Sequence, residues 1–117
     1  MTILKAIAAA DRLRPNDVGA AQKRDWLSAL DGQLALELLE EPFAGYDAAT
    51  DAAATELLAP PPWDLMYPDY LCMRIDLATD DLARYENDRA LFEASCGRFT
   101  RQFRRSHTPP AANRLRF

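Results

Sequence analysis

Apolar residues recur at helical spacing in four stretches of the chain, and between the second and third the spacing fails. The first stretch, residues 3–13, carries Ile3, Ile7 and Ala10 on one face with Leu4 and Leu13 alongside, and Thr2 stands where an N-cap belongs. Arg14-Pro15-Asn16-Asp17 then reads as a turn. Pro15 forbids continuation, and Asn16 or Asp17 can cap the next helix. That second helix, over about 19–40, has the stripe Trp26, Leu27, Leu30, Leu34 and Leu38, with Ala35 beside it. Gly32 inside it costs about 1 kcal/mol against alanine and marks a close contact or a local bend. A third helix begins at Pro62 or Trp63 and carries Met66, Tyr67, Tyr70, Leu71, Met73, Ile75 and Leu77. Pro68 within this pattern predicts a kink or a restart near Tyr67. Residues 70–77 are apolar on more than one face, which predicts the most central helix.

The longest pattern, 79–107, organises the chain. Thr79 reads as its N-cap, with Asp80 and Asp81 in the first turn where the helix dipole favours acids. Leu82, Tyr85, Phe92, Cys96, Phe99 and Phe103 come after them at steps of three, four and seven. The opposite face is assigned Arg84, Glu86, Asp88, Glu93, Arg101 and Arg105, and Pro109-Pro110 stops the helix. At 1.5 Å per residue it is roughly 40 Å long, against a radius of gyration of about 13–14 Å for a globule of this size. The pattern therefore predicts a helix that overhangs its domain. Gly97 is read as the point where it leaves, with Phe99 and Phe103 facing a partner.

Between the second and third helices, residues 41–62 lose periodicity. Pro42, Gly45, Asp47, Thr50, Asp51 and Pro60-Pro61-Pro62 rule out a helix through most of this stretch. Phe43, Tyr46, Leu57 and Leu58 supply apolar anchors, so the expectation is an ordered, extended arm. Residues 55–59 are the one candidate strand, which would need another copy of the chain as its sheet partner. The fold expected is all-α: a four-helix bundle-like domain over 1–107 with a long irregular loop between helices 2 and 3, and an extended C-terminal tail over 108–117.

Charge position changes the picture more than composition does. The chain has 117 residues, 49% apolar and 27% charged, with a net charge of −4, which fits one soluble domain. No acid comes after Glu93, while Arg98, Arg101, Arg104, Arg105, Arg114 and Arg116 do. Glu37, Glu40, Glu41, Asp47, Asp51, Glu56, Asp64 and Asp69 come with no Lys or Arg among them. A negative middle and a positive end suit head-to-tail packing of copies or docking on a charged partner. A solvated surface with ordinary helix-dipole complementation accounts for them equally well.

The chemistry of an enzyme is missing from the pattern. There is one histidine, His107, and no GxSxG, P-loop, HExxH or Gly-rich phosphate loop. Asp47 and Asp51 lack EF-hand spacing. Asp76, Asp80, Asp81 and Arg84 read as surface ion pairs worth ~0–1 kcal/mol each. Cys72 and Cys96, both at apolar helical positions with no CxxC, read as reduced thiols of a cytosolic protein. The brief apolar N-terminus is broken by Lys5, Asp11 and Arg12, so neither a signal peptide nor a membrane span is expected. No catalytic residue, cofactor or metal is expected.

Several segments resemble a family. Asp25-Trp26-Leu27-Ser28-Ala29-Leu30-Asp31-Gly32 resembles the W-L-x-x-L-D-G signature of small tailed-phage and prophage proteins. The likeness continues through Tyr46-Asp47, the stretch from Asp51 to Thr55-Glu56-Leu57-Leu58-Ala59-Pro60, and Trp63-Asp64-Leu65-Met66-Tyr67. It goes on through Tyr70-Leu71, Ile75-Asp76-Leu77, 83–88, Phe92 and Arg105-Ser106-His107-Thr108-Pro109. In order and nearly without gaps over about 3–110, these resemble the head–tail connector (adaptor) proteins of siphovirus-like phages; Pro68 departs from the pattern. The resemblance implies a virion protein, assembled in the host cytoplasm, that forms a homo-oligomeric, dodecameric ring beneath the portal vertex. Such a ring extends the channel for packaged DNA, without sequence recognition, and joins the portal protein to a downstream neck or tail protein. Carried over by position, it implies portal contacts at Arg104, Arg105, Arg114, Leu115, Arg116 and Phe117. It implies subunit or neck contacts at Phe43, Tyr46, Asp47, Leu57 and Leu58. The competing reading is a nucleic-acid-binding module that uses the six C-terminal arginines on phosphates. Overall acidity and the lack of a base-reading helix weigh against it.

Overall fold

Thr2 caps the first helix by accepting the Lys5 N–H at 3.2 Å, and the helix, α1, spans Ile3–Leu13. The computed structural model describes residues 1–107; the predicted tail, 108–117, lies outside the described residues. The other helices are α2 (Ala20–Leu34), α3 (Met66–Ala78) and α4 (Leu82–Ser106). A π turn, Ala35–Leu39, extends α2, and a 3-10 turn, Trp63–Leu65, leads into α3. Among the described residues the fold is all-α, with the irregular 41–62 stretch between α2 and α3.

Two predicted caps shift for local reasons, while the predicted restart near Tyr67 is found. Gly19 occupies the N-cap of α2 without a side-chain bond, while Asn16 accepts the Val18 N–H instead. The third helix restarts at Met66 after the 3-10 turn, which puts Pro68 in the first turn of α3, where its missing N–H has no partner to lose. Thr79 is not the N-cap of α4: its hydroxyl donates back to the Ile75 carbonyl at 2.8 Å and closes α3. The chain then reverses through Asp80, which takes a left-handed conformation (φ 61°), a region aspartate tolerates. Asp81 caps α4 by accepting the Arg84 N–H.

The 41–62 stretch is ordered by its own chain. Asp47 and Asp51 build consecutive turns, accepting the Ala49 and Ala53 N–H groups. The stretch then runs antiparallel to the start of the chain, with a bridge between Thr2 and Glu56. This corrects the expectation that a strand-like 55–59 needs a second copy of the chain. The reason lies in α1: its first N–H groups have no intrahelical acceptor. Ile3 N–H donates to Thr55 and Leu4 N–H to Ala52, while Leu57 N–H donates to Met1. A Cβ at Gly32 would sit 3.4 Å from the Phe43 ring, an ordinary van der Waals distance.

Ile3, Ile7, Leu27, Leu30, Met66, Tyr67, Leu71 and Ile75 make the core, and α3 is central to it. Leu82 is exposed. Contrary to the predicted overhang, Phe99 is buried in this core, and Phe103 packs against it half-buried. The C-terminal half of α4 therefore packs on its own chain. Gly97 marks no departure point; a Cβ there would meet only the end of the Arg101 side chain.

The glycines give opposite expectations. Gly45 has φ 88°, and a Cβ would lie 3.1 Å from Ser28 Oγ, the acceptor for the Tyr46 N–H. Gly45→Ala should lower stability by about 1–2 kcal/mol from the left-handed backbone alone. Gly97→Ala, in a helix interior, should raise it by up to about 1 kcal/mol. Urea unfolding of both variants checks the two signs.

Candidate functional site

Asp31 stands between Leu30 and Leu34 on α2, at a position that turns its carboxylate inward, and it is fully buried. Tyr67 Oη donates to its Oδ1 at 2.7 Å. Tyr46 Oη and the Leu58 N–H donate to its Oδ2. The Ala59 N–H in turn donates to Tyr67 Oη at 2.8 Å. Burial pushes the Asp31 carboxyl up from its ordinary range, while the Tyr46, Tyr67 and Leu58 donors hold it down. Burial next to Asp31 also raises both phenols, so they stay protonated and remain donors. One carboxylate thus ties α2, two points of the irregular stretch and the start of α3 together.

A second buried polar knot joins α1, α3 and α4. Arg14, at the C-terminal cap of α1, forks onto both oxygens of Asp88, with Nη2 at 3.1 and 2.9 Å. Its Nε lies 3.4 Å from Asp76 Oδ1. Asp76 and Asp88 are both buried, which corrects their assignment to the surface. Two carboxylates thus share one guanidinium, and among the described residues Asp76 Oδ2 finds no hydrogen-bond partner. Burial first, then the adjacent Asp88, pushes Asp76 up to about 7, against the pull of Arg14.

Beneath the C-terminal end of α4 lies a largely apolar cavity of about 260 Å³. Leu34, Leu38 and Leu39 form one wall, Leu58, Pro60 and Trp63 another. Phe99, Gln102, Phe103, Ser106 and His107 of α4 close it. The π turn explains part of this. Its wider winding advances each residue by a smaller angle, bringing Leu39 round toward the side of Leu34 and Leu38. His107, the last described residue, stacks on Phe103 with centroids 3.9 Å apart. Its Nδ1 lies 2.9 Å from the Phe103 carbonyl.

Four of the five contact residues predicted in the 41–62 stretch turn toward their own chain. Leu57 is buried, and Phe43, Tyr46 and Leu58 are half-buried. Phe43 and Tyr46 meet edge to face at 5.2 Å. Asp47 is exposed at a turn. Arg104 and Arg105 are exposed in the last turn of α4, and Arg105 donates to Gln102 on the cavity wall. Arg114, Leu115, Arg116 and Phe117 lie outside the described residues. Asp31, Asp88 and Arg14 were not singled out by sequence as a functional or structural set. For Asp88 a signal existed: it falls three residues after Tyr85 and four before Phe92, on the apolar stripe itself. Cys72 and Cys96 are free thiols. Among the described residues no group of three or more His, Cys, Asp or Glu side chains is placed to hold a metal ion. No helix among them is long and apolar enough to cross a membrane.

Two outcomes are expected. Asp31→Ala strands one buried and one half-buried phenol and a backbone N–H, at about 1–3 kcal/mol for each unsatisfied buried group. Urea midpoints should therefore rise in the order Asp31→Ala, Tyr67→Phe, Tyr46→Phe, the last losing least because water reaches half-buried Tyr46. The Asp76 outcome concerns pH. The unfolded chain releases this proton near pH ~4 and the folded chain near 7. Between the two the folded state holds more protons, so this group's contribution falls as pH rises and is lowest above 7. Asp76→Asn should flatten that slope and gain stability relative to wild type at pH 8, measured as Tm against pH.

No protein-family model matches the chain, and neither the curated proteins nor the solved structures yield a match.

Proposed function

We propose that the chain is a structural subunit of a phage head–tail connector, which assembles as a homo-oligomeric ring between the portal and the neck or tail. The observation that supports this reading best is where the segments of likeness meet. The Asp of the W-L-x-x-L-D-G-like segment, the Tyr of Tyr46-Asp47, the Leu58-Ala59 backbone and the Tyr of Trp63-Asp64-Leu65-Met66-Tyr67 all converge on one carboxylate. Scattered letters of a chance likeness have no reason to share a buried hydrogen-bond network. A likeness that tracks a scaffold does.

The polar end of the molecule fits the same role. Arg101, Arg104 and Arg105 are exposed on the last turns of α4, and the 108–117 segment comes directly after them. In this reading that end docks on the portal, with Arg104, Arg105, Arg114 and Arg116 supplying charge and Leu115 and Phe117 supplying apolar anchors. Each anchor fully buried on a partner contributes about 1.5–3 kcal/mol, less ordering costs. Repetition around a ring turns weak single contacts into firm attachment. The anchors 43–58 that pack on their own chain leave Asp47 and its turn as the part of that stretch most open to a neighbour.

The test mixes the full chain with the purified portal encoded in the same phage or prophage genome. Electron microscopy should show an added ring of density at one portal face. Deleting 111–117 should abolish that density while far-ultraviolet circular dichroism stays unchanged. Undiminished binding by the deleted chain would remove the portal role from those residues. Steeply salt-dependent binding to duplex DNA without any portal binding would favour the nucleic-acid reading.

A further inference from the structure

The knot of Arg14, Asp76 and Asp88 sets one guanidinium against two acids and divides its hydrogen bonds unequally. Arg14 Nη2 reaches both oxygens of Asp88, at 3.1 and 2.9 Å. Its Nη1 donates to the Leu13 carbonyl at 2.9 Å. For Asp76 there remains Nε, 3.4 Å from Oδ1, which is longer than an N–H···O hydrogen bond. Among the described residues, Arg14 Nε and Asp76 Oδ2 are buried without a hydrogen-bond partner. We propose that the knot is a proton-controlled clasp: with a proton on Asp76, Arg14 grips Asp88 and ties the end of α1 to α4, and when that proton leaves, Asp76 draws the guanidinium to itself and loosens the tie. This goes beyond the connector reading and does not depend on it.

Burial is the first argument. Asp76 is 2% exposed and Asp88 3%. An ionised carboxylate taken out of water needs both a counter-charge and hydrogen bonds. Asp88 receives both from Arg14, while Asp76 shares the counter-charge and receives no hydrogen bond from it. A neutral carboxyl costs far less to bury, so this division of bonds is the one that suits Asp76 with its proton. Arginine stays charged throughout, which leaves the acids as the groups that change.

The surroundings are the second. From the end of α1 comes Arg14, and from α4 come Asp88 and its N-cap Asp81, two acids that oppose charge on Asp76. The other bases nearby are engaged. Lys23 of α2 is bound to Asp11 of α1 at 2.7 Å. Arg74 of α3 lies over the Trp26 ring, and Arg84 of α4 pairs with Asp81. Asp64 of the 3-10 turn is paired with the Met1 amino group. Cys72, one turn earlier on α3, is kept a neutral thiol by burial. Arg14 is thus the cation for which the two acids compete.

What the clasp joins is the third. Among the described residues, α1 and α4 are not packed neighbours, so the Arg14–Asp88 bond links the first helix directly to the last. The Asp76 carbonyl accepts the Asp81 N–H at 2.9 Å, which places the titrating residue at the reversal where α4 begins. Arg14 is half-buried and gives the proton a way out to solvent. Its loss leaves the knot with a net negative charge. Asp76, with its unmet oxygen, then gains more from the guanidinium than Asp88 loses in sharing it.

The test follows the side-chain carboxyl carbons of Asp76 and Asp88 and the Arg14 Nε–Hε resonance of the full chain, from about pH 5 to 9. The Asp76 carbon should titrate with a midpoint near 7. The Arg14 Hε signal should move downfield with the same midpoint, as Nε gains Asp76 as its acceptor. Asp76→Asn keeps the shape of the protonated acid, so it should hold that signal at its acid-side position across the range, with circular dichroism unchanged. Asp88→Asn gives Asp76 the guanidinium alone and should lower its midpoint by at least about one pH unit. Should that variant unfold, the wild-type and Asp76→Asn titrations decide. An Asp76 carbon that reads as carboxylate down to about pH 5 would overturn the proposal. So would an Arg14 Hε signal that stays still while Asp76 titrates, or one that moves in Asp76→Asn as it does in wild type.

Discussion

A buried carboxylate held by neutral donors keeps the irregular half of this protein in place. Asp31 is fully buried, and its charge is tolerated because two phenols and a backbone N–H point at it. A buried charge is costly, and hydrogen bonds to the charged form offset that cost only when geometry is complete. The dependence runs both ways. Beyond Phe43, Tyr46, Leu57 and Leu58, the apolar residues of the 41–62 stretch are only alanines and prolines. Fastening Tyr46 and Leu58 to α2 fixes the path of the chain between them, and that path supplies the Ala52 and Thr55 carbonyls that satisfy the start of α1. The same fastening sets Leu58 and Pro60 as a cavity wall.

The knot of Arg14, Asp76 and Asp88 works differently. It is over-supplied with negative charge, so it favours a proton where the Asp31 network favours neutral donors. Removing Arg14 would leave two buried carboxylates uncompensated and be strongly destabilising, yet the buried ion pairs themselves contribute little net stability. Its effect here is geometric. It fixes where the end of α1 meets α3 and α4, close to the turn through Asp80. Leu13 and Leu77, the sequence neighbours of Arg14 and Asp76, are exposed.

Helix existence was legible in the sequence because each stripe keeps one period. Thr2, Ile3, Ile7 and Ala10 announce α1, and Trp26 to Leu34 announce α2. The illegible features rest on residues that serve contacts far along the chain. Asp88 lies on the apolar stripe of α4, but its charge assigns it to the solvent face unless Arg14, 74 positions away, is known to meet it. Thr79 has the chemistry of an N-cap and acts as a C-cap, because the reversal between α3 and α4 needs three residues before a new helix can start. The 55–59 segment reads as a strand without a partner because its partner is the chain's first residues, not another strand. The basic C-terminal end of α4 was legible as charge; the π turn that shapes the cavity opposite it was not, since 35–39 has an ordinary helical composition.

The overhang expected of α4 rested on comparing its length with the size of a globule. That comparison ignores what a flanking segment can cover. Phe99 and Phe103 share a cavity lining with Leu34 of α2, Leu38 of the π turn, Leu58 of the irregular stretch and Trp63 of the 3-10 turn. The match is incomplete, and the unfilled volume lies at the lip where His107 stacks on Phe103. A comparison of helix length with globule size cannot anticipate this, because it counts residues and takes no account of the turns that set neighbouring side chains beside them.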